Sequence, residues 1–226
     1  MNSQELAKLI DHTFLKPTAT FEDIDRLCRE AVEYGFYSVC VNSTFVEYAV
    51  KQLVNTPVVV CTTVGFPLGA VHKETKAYEA RKAVSQGALE VDMVINLGLL
   101  KSGDYFEVRE DIEGVVKAVK QENKDAKVKV IIETCFLSES EKVTAAKLCQ
   151  EANADFVKTS TGFGTGGATV EDVKLLRMLV GNTMGVKASG GIRDLDTMLK
   201  MIEAGANRIG TSSGVAIIEE LIKKSQ

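Results

Sequence analysis

The chain has 226 residues, 45% hydrophobic and 26% charged, with a net charge of -4. That is enough apolar material for one large core, and a length common for a single α/β barrel. No basic run exceeds Lys223-Lys224, which argues against a nucleic-acid partner. There is neither a basic then apolar leader nor a long uncharged apolar stretch, so the expectation is a cytoplasmic protein that does not cross a membrane.

In chain order, a short strand candidate at 10–13 precedes a helix over 21–34 that places Ile24, Leu27, Cys28 and Ala31 on one face behind a Thr20 cap. Apolar, β-branched strand runs follow at 38–42, 58–65 and 90–96. A helix over 104–121 aligns Ile112, Val115, Val116 and Val119, and a strand run covers 128–134. Ser138 and Thr169 read as caps of two further helices, and the remaining strand runs lie at 156–161, 185–188 and 208–211. Gly35, Gly87, Gly181 and Gly205 carry the signature of helix C-termini. Eight strand runs alternating with amphipathic segments predict a (β/α)8 barrel in one domain, residues 1–226, with an open doubly wound sheet as the competitor. The five cysteines, Cys28, Cys40, Cys61, Cys135 and Cys149, form no C-x-x-C pair and read as buried small hydrophobes in a reducing setting, with Cys40 set apart by its place near a strand end.

Three charged residues stand at equivalent places on separate apolar strands: Asp92 in Glu90-Val-Asp-Met-Val-Ile95, Lys158 in Phe156-Val-Lys-Thr-Ser-Thr161 and Lys187 in Gly185-Val-Lys-Ala-Ser-Gly-Gly191. In a barrel their strand ends surround one mouth. An amine attacks a carbonyl only when neutral, and an ordinary lysine titrates near about 10.4. Two ammonium groups about 6 Å apart, at an effective dielectric of about 20, repel by roughly 3 kcal/mol, about two pKa units. The pair therefore predicts Schiff-base chemistry on one lysine with the other tuning it; the plain alternative is ordinary ion pairing with Asp92, Asp155 or Glu133.

Glycine-rich segments after the seventh and eighth strands, Ala188-Ser-Gly-Gly-Ile-Arg193 and Gly210-Thr-Ser-Ser-Gly214, present backbone N–H groups for a phosphate, and 161–167 is placed to close over the same ligand. His12 and His72 are the only histidines and are not a close helical pair, so no metal is expected; Asp11, beside His12 at the first strand end, is kept as a ligand-binding candidate.

These motifs, together with Ile10-Asp-His-Thr13, Val39-Cys-Val-Asn42, Val64-Gly-Phe-Pro-Leu-Gly69 and Arg208-Ile-Gly-Thr-Ser-Ser-Gly214, make the chain resemble the class I deoxyribose-phosphate aldolase family over essentially its full length. The resemblance implies reversible cleavage of 2-deoxy-D-ribose 5-phosphate to D-glyceraldehyde 3-phosphate and acetaldehyde with no metal or organic cofactor. It implies Lys158 as nucleophile, Lys187 as the tuning ammonium and Asp92 as partner in proton transfer. It also implies substrate contacts from Gly162, Gly190, Gly191, Ser212 and Ser213, a sugar pocket shaped by Asp11, Cys40 and Thr161, and possible homodimers. The ending Ile222-Lys-Lys-Ser-Gln226 lacks the tyrosine with which some family members assist protonation, so that assistance is not expected. A transaldolase-like enzyme using a ketose, and a noncatalytic phosphosugar-binding barrel, are the alternatives.

Overall fold

The computed structural model describes residues 1–224, so the final Ser225 and Gln226 of the tail lie outside the described residues. Eight parallel strands pair in sequence order and close through hydrogen bonds from the last to the first: β1 (Ile10–Phe14), β2 (Ser38–Val41), β3 (Val59–Val64), β4 (Glu90–Val94), β5 (Lys127–Ile131), β6 (Phe156–Lys158), β7 (Gly185–Ser189) and β8 (Arg208–Thr211). The expected (β/α)8 barrel is the observed fold, and the open sheet is excluded. Helices cover it: α1 (Ser3–Ala7), α2 (Phe21–Tyr34), α3 (Val46–Gln52), α4 (Lys73–Ser85), α5 (Leu97–Lys101), α6 (Tyr105–Glu122), α7 (Glu139–Glu151), α8 (Val170–Val180), α9 (Leu195–Glu203) and α10 (Gly214–Lys224).

The helix starts follow from local chemistry. Thr20 accepts from the Asp23 amide while Asp23 reaches back to Thr20 N, and Ser138 and Glu141 repeat the exchange at α7. Thr169 caps α8 alone. Such caps satisfy otherwise orphaned N–H groups and contribute about 1 kcal/mol each. Gly35, at φ 69°, ends α2 in a left-handed conformation that costs other residues strain.

Five strands, β2 to β6, are shorter than the sequence predicts, and at β5 and β6 the C-terminal end is cut back by three residues each. β5 stops at Ile131 because Glu133 adopts φ 52°, turning the chain into a 3-10 turn at Thr134–Phe136. β6 stops at Lys158, and the Thr161 amide donates to the Glu133 carboxylate instead of to a neighbouring strand. Both ladders thus give way at the barrel mouth, where the 161–167 loop begins.

Alternation along the strands separates two interiors. Val39, Val91, Val128, Val130, Val157, Val186 and Ile209 belong to the apolar core that includes the buried faces of the helices. The intervening residues Asp11, Glu90, Asp92, Lys129, Lys158, Lys187 and Arg208 bond one another inside the barrel. A separate buried pair ties α4 to α6: Lys76 Nζ lies 2.5 Å from Asp111 Oδ2 and donates to the Val94 carbonyl at 2.9 Å. Near the lower end of the barrel, Gly185 leaves room for the Phe156 ring; a Cβ there would stand 2.2 Å from Phe156 Cδ1. Gly185→Ala is expected to destabilise the fold by about 1–3 kcal/mol through overpacking, read as a lowered urea midpoint with unchanged slope.

Candidate active site

Asp92 is the hub. Lys158 Nζ and Lys187 Nζ both stand 2.7 Å from its Oδ2, and Lys129 Nζ stands 2.9 Å from its Oδ1. Register makes this possible: Asp92 pairs with Lys129 across β4 and β5, and Lys158 pairs with Lys187 across β6 and β7. Lys187 also reaches Asp11 Oδ2 at 2.5 Å. The sequence expectation of a lysine pair beside Asp92 is therefore met in space, and Asp155 and Glu133 are engaged elsewhere, with Lys120 and Thr161.

A lower tier supports these groups. Arg208 Nη1 donates to Asp11 Oδ1 at 2.9 Å and to Glu90 Oε2 at 2.8 Å, and its guanidinium stacks 3.6 Å from the Tyr37 ring centroid. Lys129 Nζ reaches the same Glu90 oxygen at 2.5 Å, and Ser38 Oγ donates to Asp11 Oδ1 at 2.7 Å. Sequence reading missed Lys129, Glu90 and Arg208. Their signal was present, since each is a charge in an otherwise apolar strand, and Glu90 lies two residues before Asp92, hence on the same face.

Burial opposes charge on Asp11, Asp92, Lys129, Lys187 and Arg208, and the ion pairs override it. Burial works to raise the Asp92 carboxyl, but Lys129, Lys158 and Lys187 hold it well below the usual carboxylate range. Asp11 is likewise held low by Lys187, Lys129 and Arg208 against burial. Burial works against the Lys187 charge, yet Asp11 and Asp92 keep its ammonium well above the ordinary lysine range. Three carboxylates, Asp11, Glu90 and Asp92, face the cations Lys129, Lys187, Arg208 and Lys158. The first three cations suffice to neutralise the carboxylates. Lys158 is the fourth, and it shares its Asp92 oxygen with Lys187.

A cavity of about 520 Å³ opens above this network. Of the three lysines on Asp92, Lys158 alone lines it, together with Thr161, Gly162, Gly190, Gly191 and Ser212. Gly162, Gly190 and Gly191 take φ values of 84°, 83° and 79°, so these loops hold turns that a side chain would strain. Thr161 is buried, its hydroxyl and amide both held by Glu133, and its Oγ1 accepts from Phe163 N at 2.9 Å. The Phe163 ring meets Phe66 edge-on, with centroids 5.2 Å apart.

The other candidate residues lie off the cavity wall. Ser213 spends its amide on Thr211 Oγ1 at 2.9 Å. Asp11 is enclosed beneath the cavity with Lys187 and Arg208, and Cys40 is enclosed with Leu15, Cys61 and Phe66. Burial pushes the Cys28 and Cys149 thiols up to about 12, as inert buried cysteines require. His12 Nε2 is 2.6 Å from Glu30, and His72 is exposed before α4. Two donor sets, Cys40 with Cys61 and Asp92, and Asp11 with Cys61 and Glu90, each fall within 4.8 Å. Their carboxylates are already bonded to ammonium or guanidinium groups, so a metal ion in either place would have to displace a cation.

A profile of the DeoC/LacD family aldolases matches residues 6–220. The chain belongs to that family. Among relatives of the DeoC/LacD aldolase, a protein of Carboxydothermus hydrogenoformans named deoxyribose-phosphate aldolase is 59% identical over 222 residues, 98% of this chain and 97% of that one. One of the same name from Thermococcus gammatolerans is 62% identical over 221 residues, 97% of each chain. A solved structure described as a tetrameric deoxyribose phosphate aldolase from Aeropyrum pernix superposes with a TM-score of 0.91 at 37% identity, covering 98% of this chain and 93% of that one. Among the described residues of this aldolase, no helix is long and apolar enough to cross a membrane.

The network fixes the pH dependence of stability. Asp92 and Asp11 have depressed folded-state values, so their contribution is fully present above the unfolded carboxylate value of about 4 and is lost as pH falls through the lower folded values. The urea midpoint is expected to fall steadily below about pH 4, and Asp92→Asn to flatten that part of the curve while lowering the midpoint at pH 7.

Proposed function

We infer that this chain is a class I aldolase that reversibly cleaves 2-deoxy-D-ribose 5-phosphate to D-glyceraldehyde 3-phosphate and acetaldehyde through a Schiff base on Lys158. The observation that carries the reading is that Lys158 is both bonded to Asp92 and open to the cavity, whereas Lys187 and Lys129 are enclosed behind it. A nucleophile must reach substrate; a tuning charge need not.

The steps follow from this placement. The neutral Lys158 amine adds to the substrate aldehyde carbon, and loss of water gives an iminium. That iminium draws the electron pair of the breaking carbon–carbon bond, so the fragment left on Lys158 is an enamine and not a free carbanion. Release of glyceraldehyde phosphate requires loss of a proton from the hydroxyl of the departing carbon. Asp92 is enclosed, so it acts on that hydroxyl through a water. Conversion of Lys158 to an iminium leaves it one N–H, which frees part of Asp92 Oδ2 for such a contact. Lys187 remains the fixed positive charge behind Oδ2. Protonation of the enamine carbon and hydrolysis then return acetaldehyde and Lys158.

The phosphate is held at the left-handed turns of Gly162, Gly190 and Gly191 and by Ser212, where backbone N–H groups and the α10 N-terminus favour an anion. This reading includes a cytoplasmic setting and a homo-oligomer, a dimer in the simplest case.

Borohydride reduction in the presence of acetaldehyde is expected to leave an ethyl group on Lys158, identified by peptide mass analysis; the absence of any adduct would leave only a phosphosugar binder. Cleavage of deoxyribose 5-phosphate is expected where fructose 6-phosphate is inert, and activity on the ketose alone would reject the substrate. Lys158→Leu is expected to lose adduct and turnover while keeping its fold by circular dichroism, since Asp92 retains Lys129 and Lys187. For Lys187→Leu, turnover should fall by about 10²–10⁴-fold at neutral pH, with the acid limb of the kcat/KM profile moved to higher pH.

A further inference from the structure

Lys129 takes no part in the steps above and does not line the cavity, yet it meets all three interior carboxylates: Glu90 at 2.5 Å, Asp92 at 2.9 Å and Asp11 at 3.7 Å. We propose that Lys129 is a positioning residue for the aldol reaction: it pins Asp92 by Oδ1 so that Oδ2 faces Lys158 and Lys187 together, and its fixed charge disfavours a proton on Lys158. The inference rests on Lys158 being the Schiff-base nucleophile.

The geometry of the carboxylate carries the first part. Oδ1 of Asp92 is occupied by Lys129 and by the Cys61 thiol at 3.2 Å, which leaves Oδ2 as the oxygen that both remaining lysines must share. Without Lys129, Lys187 or Lys158 could take an oxygen each, and the two amines would no longer be drawn to one point. Lys129 is itself immobilised. Glu90 holds it from below, Glu90 is held in turn by Arg208, the Cys61 Sγ lies 3.4 Å away, and the Phe156 ring closes the side at 6.0 Å from Nζ to centroid.

Charge carries the second part. The groups facing Lys129 are Asp11 from β1, Cys61 from β3, Glu90 and Asp92 from β4, Lys187 from β7 and Arg208 from β8, with Lys158 of β6 across Asp92. Of these, Lys158 is the one open to substrate and the one required in neutral form. Lys129 and Lys158 stand on the two oxygens of one carboxylate, so like-charge repulsion from the Lys129 ammonium acts on Lys158. Glu90, one tier lower, offsets part of that repulsion because it is farther from Lys158 than Asp92 is.

The deciding variant is Lys129→Met with Glu90→Gln, which removes a pair of opposite charges and leaves neither partner orphaned. If Lys129 only neutralised Glu90, the double variant would show wild-type kinetics. The expected result is a native circular dichroism spectrum and acetaldehyde-dependent borohydride trapping on Lys158, with the acid limb of kcat/KM moved to higher pH and kcat lowered at neutral pH. A folded double variant with an unmoved limb and unchanged kcat would overturn the proposal. Should it fail to fold, Lys129→Arg decides: the charge is kept, so the limb is expected to stay in place, and a limb displaced as far as in Lys187→Leu would overturn it. Failure of the wild-type chain to trap acetaldehyde on Lys158 would instead defeat the aldolase reading, before any variant is compared.

Discussion

One carboxylate holding three lysine side chains inside a closed barrel is the constraint on which the rest depends. Each of the four groups comes from a different strand, Asp92 from β4, Lys129 from β5, Lys158 from β6 and Lys187 from β7, so the arrangement exists only while four adjacent strands keep their register. A slip of one residue would turn every one of these side chains out into the apolar layer. Buried ion pairs add little net stability compared with apolar packing, but a buried charge that loses its partner is costly. The network therefore enforces the register more than it strengthens the fold.

The two faces of the sheet divide the work. Outward residues such as Val91, Val130 and Val157 pack against helices and supply the hydrophobic stabilisation, while the inward residues are free to be polar. Lysines can be enclosed there because the carboxylates are enclosed with them. The mouth is built differently. Its glycine turns and the Glu133-to-Thr161 bond lie in loops beyond the strand ends, where insertion or exchange of a loop leaves the charged interior untouched.

Much of this was legible in the residues. Strand existence, the Thr20, Ser138 and Thr169 caps and the conjunction of Asp92, Lys158 and Lys187 all follow from period, cap chemistry and the oddity of charge in an apolar run. The strand ends at Ile131 and Lys158 did not follow, because they depend on Glu133 taking a left-handed backbone and capturing the Thr161 amide, a long-range contact with no local pattern. Glu90, Lys129 and Arg208 escaped for a related reason. A charge near the start of a strand reads as a solvated end, and only closure of the barrel shows that those starts converge on a floor sealed by Tyr37 and Phe156. Asp11 and Cys40 were drawn toward the sugar by their motifs, yet both stand one layer behind the cavity wall.

The pairing of β8 with β1 also removes a hazard that open sheets carry. An open sheet ends in a strand whose free amides and carbonyls can template another chain, whereas this ring leaves no such seam. A closed ring of strands thus gives no template for ladder-on-ladder growth into fibres, and leaves helix faces and loops as the outer surface of the barrel.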